Sequence, residues 1–219
     1  MKRNKMIKKS ILTTGIAVLL AVNLIGCNKQ KDEDKKEAAE LKAGQTLLTI
    51  QKDGTLNRKN VEEFNKDNYK IDYLKKAVNE EISDFNEKKG SSAKAVSLVN
   101  LQKDGKNVVL ELKFKSANDY KKYVATYDSP DNKVIFYSGD SDEADIDKLK
   151  MPDQLKKADD SATVKTEDII DEEGLKLVAT NQEEKIEIDG EVKYMNDGAT
   201  CEEGRVTGKK GTNTYVLYK

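Results

Sequence analysis

The chain has no histidine and no tryptophan, two cysteines, two prolines and three arginines in 219 residues. Without histidine, the serine–histidine and cysteine–histidine pairs that activate a nucleophile are excluded, and the commonest zinc ligand is missing. Without tryptophan, a sugar-stacking lectin or glycosidase surface loses its usual platform. Arginine is confined to Arg3, Arg58 and Arg205, too few for an arginine cluster that grips phosphate or carboxylate in bidentate fashion. Two cysteines cannot build a disulfide framework. Long apolar runs are also missing, except for one near the start.

That run stretches from Ile11 to Ile25, interrupted only by Thr13, Thr14, Gly15 and Asn23, and follows five cations (Lys2, Arg3, Lys5, Lys8, Lys9). At about 15 residues it is short of the ~20 that span a bilayer. A charged start, a short apolar stretch and a small residue before a cut are the marks of a removable signal. The run ends in Leu24-Ile25-Gly26-Cys27. These four residues resemble the lipobox of bacterial lipoproteins: an aliphatic residue, a spacer, a small residue and the lipid-bearing cysteine. The resemblance implies cleavage behind Gly26, acylation of the Cys27 sulfur and anchoring at the extracytoplasmic face of the cell membrane. Two acyl chains at ~0.8 kcal/mol per buried methylene anchor stably where one does not. Lipid on Cys27 leaves Cys201, read as a small strand or turn residue.

Removal of residues 1–26 leaves 193 residues, enough for one domain or two small ones. The five leader cations leave with them, so 34 basic residues face 40 acidic ones and the mature chain carries about −6. That balance argues against nucleic acid as a partner and makes lipid, rather than charge, the membrane anchor. Residues 28–44 hold five lysines, five acids and one large apolar side chain, Leu41. Such a segment cannot bury enough surface to offset its ordering entropy and reads as a tether, with a reach on the order of 55 Å.

Thereafter the pattern is α+β. Thr46–Ile50 reads as a strand, turning at Asp53-Gly54 into a return strand or short helical turn over Asn57–Phe64. Leu74, Val78, Ile82 and Phe85 recur at helical spacing, with Asp72 to cap and Gly90 to stop. Ala95–Leu101 and Val108–Phe114 form a second hairpin around Asp104-Gly105. Ser116, with Asp119 three residues on, opens a short helix carrying Tyr120, Tyr123 and Val124. A strand over Lys133–Tyr137 and a short helix near Asp142–Leu149 follow. The remainder reads as β: 162–170, 175–180, 185–188, 192–195 and 213–218. The expected organisation is an α+β subdomain over 45–150, a polar connection over 151–161 and a β-rich subdomain over 162–219.

The lipobox, Lys52-Asp53-Gly54, Tyr69–Leu74, Ser116–Tyr120, Ile135–Gly139 and Tyr215–Lys219 together resemble a set of small Firmicutes surface lipoproteins. The resemblance supplies no activity and no catalytic residue.

Candidates for chemistry are few. Asp140, Asp142, Glu143, Asp145 and Asp147 are dense, but a calcium loop from Asp140 would need oxygen at 144 and glycine at 145, where Ala144 and Asp145 stand. A solvated helical turn is the better account, and no metal or cofactor is expected. Gly204–Gly211 reads as a hairpin loop, not a phosphate cradle. Tyr120, Tyr123, Tyr127 and Tyr137 crowd into 18 residues. They suit a recognition surface, and suit a sheet or core still better. The function expected is a tethered, non-catalytic binding module of the cell envelope, with an envelope protein or glycan as partner. A carboxylate-dependent hydrolase is the alternative. A two-lobed solute-binding lipoprotein is too large for this chain.

Overall fold

The computed structural model describes residues 41–202 and 204–219. The signal segment, Cys27 and most of the tether lie outside them. The described residues form four α-helices, one π-helical turn and thirteen strands in two sheets, an α+β fold with β predominating in the C-terminal part.

With strands numbered in chain order, the first sheet runs β11 (Thr200–Glu202), β12 (Arg205–Thr207), β9 (Lys185–Ile188), β1 (Gln45–Ile50), β2 (Leu56–Glu63), β4 (Asn107–Phe114), β3 (Val96–Asp104). β1 nucleates it. Asp53 accepts hydrogen bonds from the Thr55 backbone (2.9 Å) and hydroxyl (2.7 Å), and Gly54 takes φ +78, so the turn closes β1 onto β2 without strain. The other edge of β1 pairs with β9 in parallel. The second sheet runs β5 (Phe136–Asp140), β8 (Lys176–Thr180), β13 (Thr214–Tyr218), β10 (Val192–Met195), β6 (Gln154–Lys157), β7 (Thr163–Lys165), antiparallel throughout.

The inner faces of the sheets share one core. Leu48, Ile50, Leu56, Leu112, Phe114, Ile186 and Ile188 from the first sheet join Phe136, Val178, Val192, Val216 and Tyr218 from the second. Burying such an aliphatic side chain fully contributes about 1.5–3 kcal/mol each. Helix α1 (Ile71–Lys88) adds Val78 and Phe85 to this core. Asn86 clamps the start of β3 through both the N–H and the C=O of Val96, at 2.9 Å each. Helix α2 (Ala117–Tyr123) begins at Ser116, whose hydroxyl accepts from the Asp119 N–H. It continues into the π-helical turn Val124–Asp128. A second core of Leu155, Leu175, Leu177, Ala179, Tyr215 and Leu217 lies on the far face of the second sheet. The short helices α3 (Ile146–Leu149) and α4 (Thr166–Ile169) contribute Leu149 and Ile169 to it.

Several local expectations need correction. β9, β11 and β12 from the late part complete the first sheet, and β5 from the early part edges the second. The strands of 45–150 and 162–219 therefore do not segregate by sheet. The polar connection 151–161 contains β6, anchored by Leu155 in the second core. The strand expected over 162–170 is only β7, followed by α4, and the strand expected over Lys133–Tyr137 begins at Phe136. Asp72 lies in the first turn of α1 rather than capping it; Lys70 precedes the helix and makes no side-chain cap bond. Gly44 at the tether's end donates to Val61 O at 2.7 Å, so the sheet already holds the chain there.

Candidate functional site

The register fixes which side chains of the first sheet face away from the core. Lys185, Leu47, Lys59 and Glu111 line up across β9, β1, β2 and β4. Glu187, Thr49, Asn57 and Lys113 form the next row, extended by Arg205 on β12. Lys59 pairs with Glu111 at 3.3 Å. Glu187 accepts from the Thr49 hydroxyl at 3.2 Å and lies 3.7 Å from Arg205 Nε. The Lys59–Glu111 pair lines a shallow groove of about 250 Å³ together with Leu47, Thr49, Asn57 and Val99. Val99 is the residue at which β3 breaks register with β4, and it is 56 % exposed. The bulge leaves it unpaired and turns it outward. The carboxamide oxygen of Asn57 is buried and accepts no hydrogen bond. An apolar strip, an unused acceptor and a flanking ion pair together suit a ligand that brings N–H or O–H donors along an extended backbone.

On the opposite, inner face Arg58 points into the core from a position between Leu48 and Leu112. Its guanidinium pairs with Asp128 at the end of the π-helical turn, and its Nε lies 4.0 Å from a Glu184 oxygen. Both Glu184 oxygens accept from the Tyr120 hydroxyl, at 2.7 and 2.8 Å. Burial opposes the charge on Arg58, but Asp128, Tyr120 and Glu184 outweigh it and hold the guanidinium firmly protonated. Burial pushes the Glu184 carboxyl up, against the pull of Arg58 and the Tyr120 hydrogen bond. Burial, followed by Glu184, pushes the Tyr120 phenol far up. This cluster was missed from sequence, although the period-2 pattern of β2 places Arg58 on the same face as Leu56.

The tyrosines, offered as a possible surface but suited better to a sheet or core, are mostly internal. Tyr120 and Tyr123 are core residues; the Tyr123 hydroxyl bonds Glu81, and the Tyr120 ring packs on Phe114 and Phe136. Tyr127 is half-buried, donates to Asp84 at 3.2 Å, and its phenol is pushed up to about 12 by burial. Tyr137, on β5, donates to its own strand at Asp140 O, 2.6 Å away. In the acidic run, Asp145 caps α3 by accepting from Lys148 N at 3.0 Å. Asp140, Asp142, Glu143 and Asp147 are solvated. Cys201 lies half-buried on β11 against the main core. It is not the lone cysteine expected: it is disulfide-bonded. Comparison with protein-family models, with curated proteins and with solved structures finds no match to this chain.

Proposed function

We propose that this is an extracytoplasmic lipoprotein, anchored through lipid on Cys27, that binds another envelope component on the outer face of its first sheet. The observation that supports the reading is the groove beside Asn57, where a buried acceptor stands without a donor in a lining shared with the Lys59–Glu111 pair and the exposed Val99. An extended segment rich in backbone amides, such as a peptide of the envelope, matches that chemistry. The hydrolase reading would draw on a raised carboxyl in a cleft. Glu184 is raised, but its side chain is 1 % exposed beneath Tyr120, so that reading needs another acid.

Three experiments test the proposal. Cys27→Ser should move the protein from the membrane fraction to the soluble fraction after detergent-free lysis; retention equal to wild type would refute the anchor. Lipid on Cys27 removes the one thiol that could pair with Cys201 within the chain. Intact mass before and after reductant therefore separates the acylated form from a disulfide form. For the binding face, the unlipidated mature chain should be retained by isolated envelope material, and Lys59→Glu with Val99→Asp should abolish retention. Unchanged retention by that double variant would move the binding face elsewhere.

A further inference from the structure

The chain crosses between its two sheets at several places, and two of these crossings meet at one cation. The π-helical turn Val124–Asp128 leads from α2 toward β5 of the second sheet, and residues 181–184 carry the chain from β8 of the second sheet into β9 of the first. Asp128 ends the π-helical turn of the former crossing, and Glu184 ends the latter. Both carboxylates converge on Arg58, which projects from the middle of the first sheet. Tyr120 of α2 closes the cluster over Glu184.

The charges of this cluster do not balance: two carboxylates share one guanidinium. They are also not equivalent. Asp128 contacts the guanidinium directly and its side chain is 35 % exposed, whereas the Glu184 side chain is 1 % exposed. Arg58 Nε is buried and makes no hydrogen bond, standing 4.0 Å from Glu184. Glu184 is the carboxylate shut away from solvent and without a close cation, so the excess negative charge is costliest there.

We propose that the Arg58–Asp128–Glu184–Tyr120 cluster is a proton-operated clasp between the two sheets, in which Glu184 takes up a solvent proton as the medium acidifies and the crossings are held more tightly. The groups facing Glu184 are Arg58 from β2, Asp128 from the π-helical turn and Tyr120 from α2, and uptake of one proton brings the cluster to neutrality. A lipoprotein outside the membrane meets ambient pH directly, so such a clasp would couple its rigidity to the medium.

The test is urea unfolding of the unlipidated mature chain and of Glu184→Gln between about pH 7.5 and about pH 5. Glutamine keeps an acceptor for Tyr120 and removes the charge. A carboxyl held above its unfolded value favours folding below that value and loses the contribution as pH rises through the folded one. Relative to Glu184→Gln, wild type should therefore gain stability on acidification, with the ratio of unfolding constants shifting about tenfold for each pH unit by which the folded carboxyl exceeds the unfolded one. Tyr120→Phe, which deletes a hydrogen bond favouring the carboxylate, should steepen the slope. Carbon-13 NMR of the Glu184 carboxyl in wild type reads the proton directly and decides the matter should the glutamine variant not fold. Parallel wild-type and Glu184→Gln profiles, or a Glu184 carboxyl that titrates like a solvated one, would overturn the proposal.

Discussion

On the seven-stranded sheet one face carries polar side chains around buried Leu47, Val61 and Val109, while the central strands β8 and β13 of the six-stranded sheet are covered on both faces. On β1 and β4 of the first, core-facing Leu48, Ile50, Leu112 and Phe114 alternate with Thr49, Glu111 and Lys113. On β13 of the second, all five residues from Thr214 to Tyr218 are buried. Val216 and Tyr218 face the shared core, and Tyr215 and Leu217 face the second one. The open sheet has side chains to spare for partners. The covered sheet is committed to holding the molecule together. Substitutions in the six-stranded sheet should therefore lower stability, and those on the outer face of the seven-stranded sheet should weaken binding instead.

The largest effect expected is from Leu217→Ala. Leu217 is fully buried on the central strand β13, so truncation removes its transfer energy and leaves a cavity in close-packed surroundings, costing about 2–5 kcal/mol. Urea unfolding monitored by circular dichroism measures it. A loss no greater than that of a surface substitution would mean that the second core is loosely packed and the contrast between the sheets is false.

The same contrast decides what the sequence could tell. Where one face is wet, alternation is visible, and β1, β4 and the Asp53-Gly54 turn follow from it. Helix α1 was legible from the 4, 4, 3 spacing of Leu74, Val78, Ile82 and Phe85. The strands of the covered sheet are short, and β6 and β7 carry little apolar signal beyond Leu155 and Val164. β11 and β12 are three residues each, and β12 was hidden in the glycine-rich stretch 204–211 read as a loop. Pairing between distant segments, such as β1 with β9, leaves no local mark at all. The outer groove was not legible either, because it depends on which residues fall into register across four strands. Arg58 could have been found: in a strand read as Leu56, Arg58, Asn60, a charged side chain on the core face demands partners.

A middle-sized effect tests the helix that carries Tyr120 to the Glu184 cluster. Ser116→Ala deletes the N-cap of α2 and one of the hydroxyls that bond the buried carboxylate of Asp119. It should cost about 1 kcal/mol, read as a lowered urea midpoint. Asp119 keeps its bonds from the Ser91 N–H (2.8 Å) and hydroxyl (2.7 Å), which limits the damage. A loss of several kcal/mol would mean that α2 is poised to detach.

The smallest effect on stability, and the sharpest on function, belongs to Val99→Lys. Val99 is the exposed residue of the bulge on the edge strand β3. It contributes little to either core, so stability should stay within about 0.5 kcal/mol of wild type. A lysine at an edge strand is also a common guard against pairing with another strand. If the partner lies along this face, a cation replacing the apolar rim of the groove should weaken retention by envelope material while leaving the urea midpoint in place. The matched control is Glu80→Gln on the solvent side of α1, which shifts the net charge by the same +1 at an exposed residue and should leave retention unchanged. Equal losses from both variants would show that retention follows net charge alone, and the division of labour between the two sheets would lose its functional half.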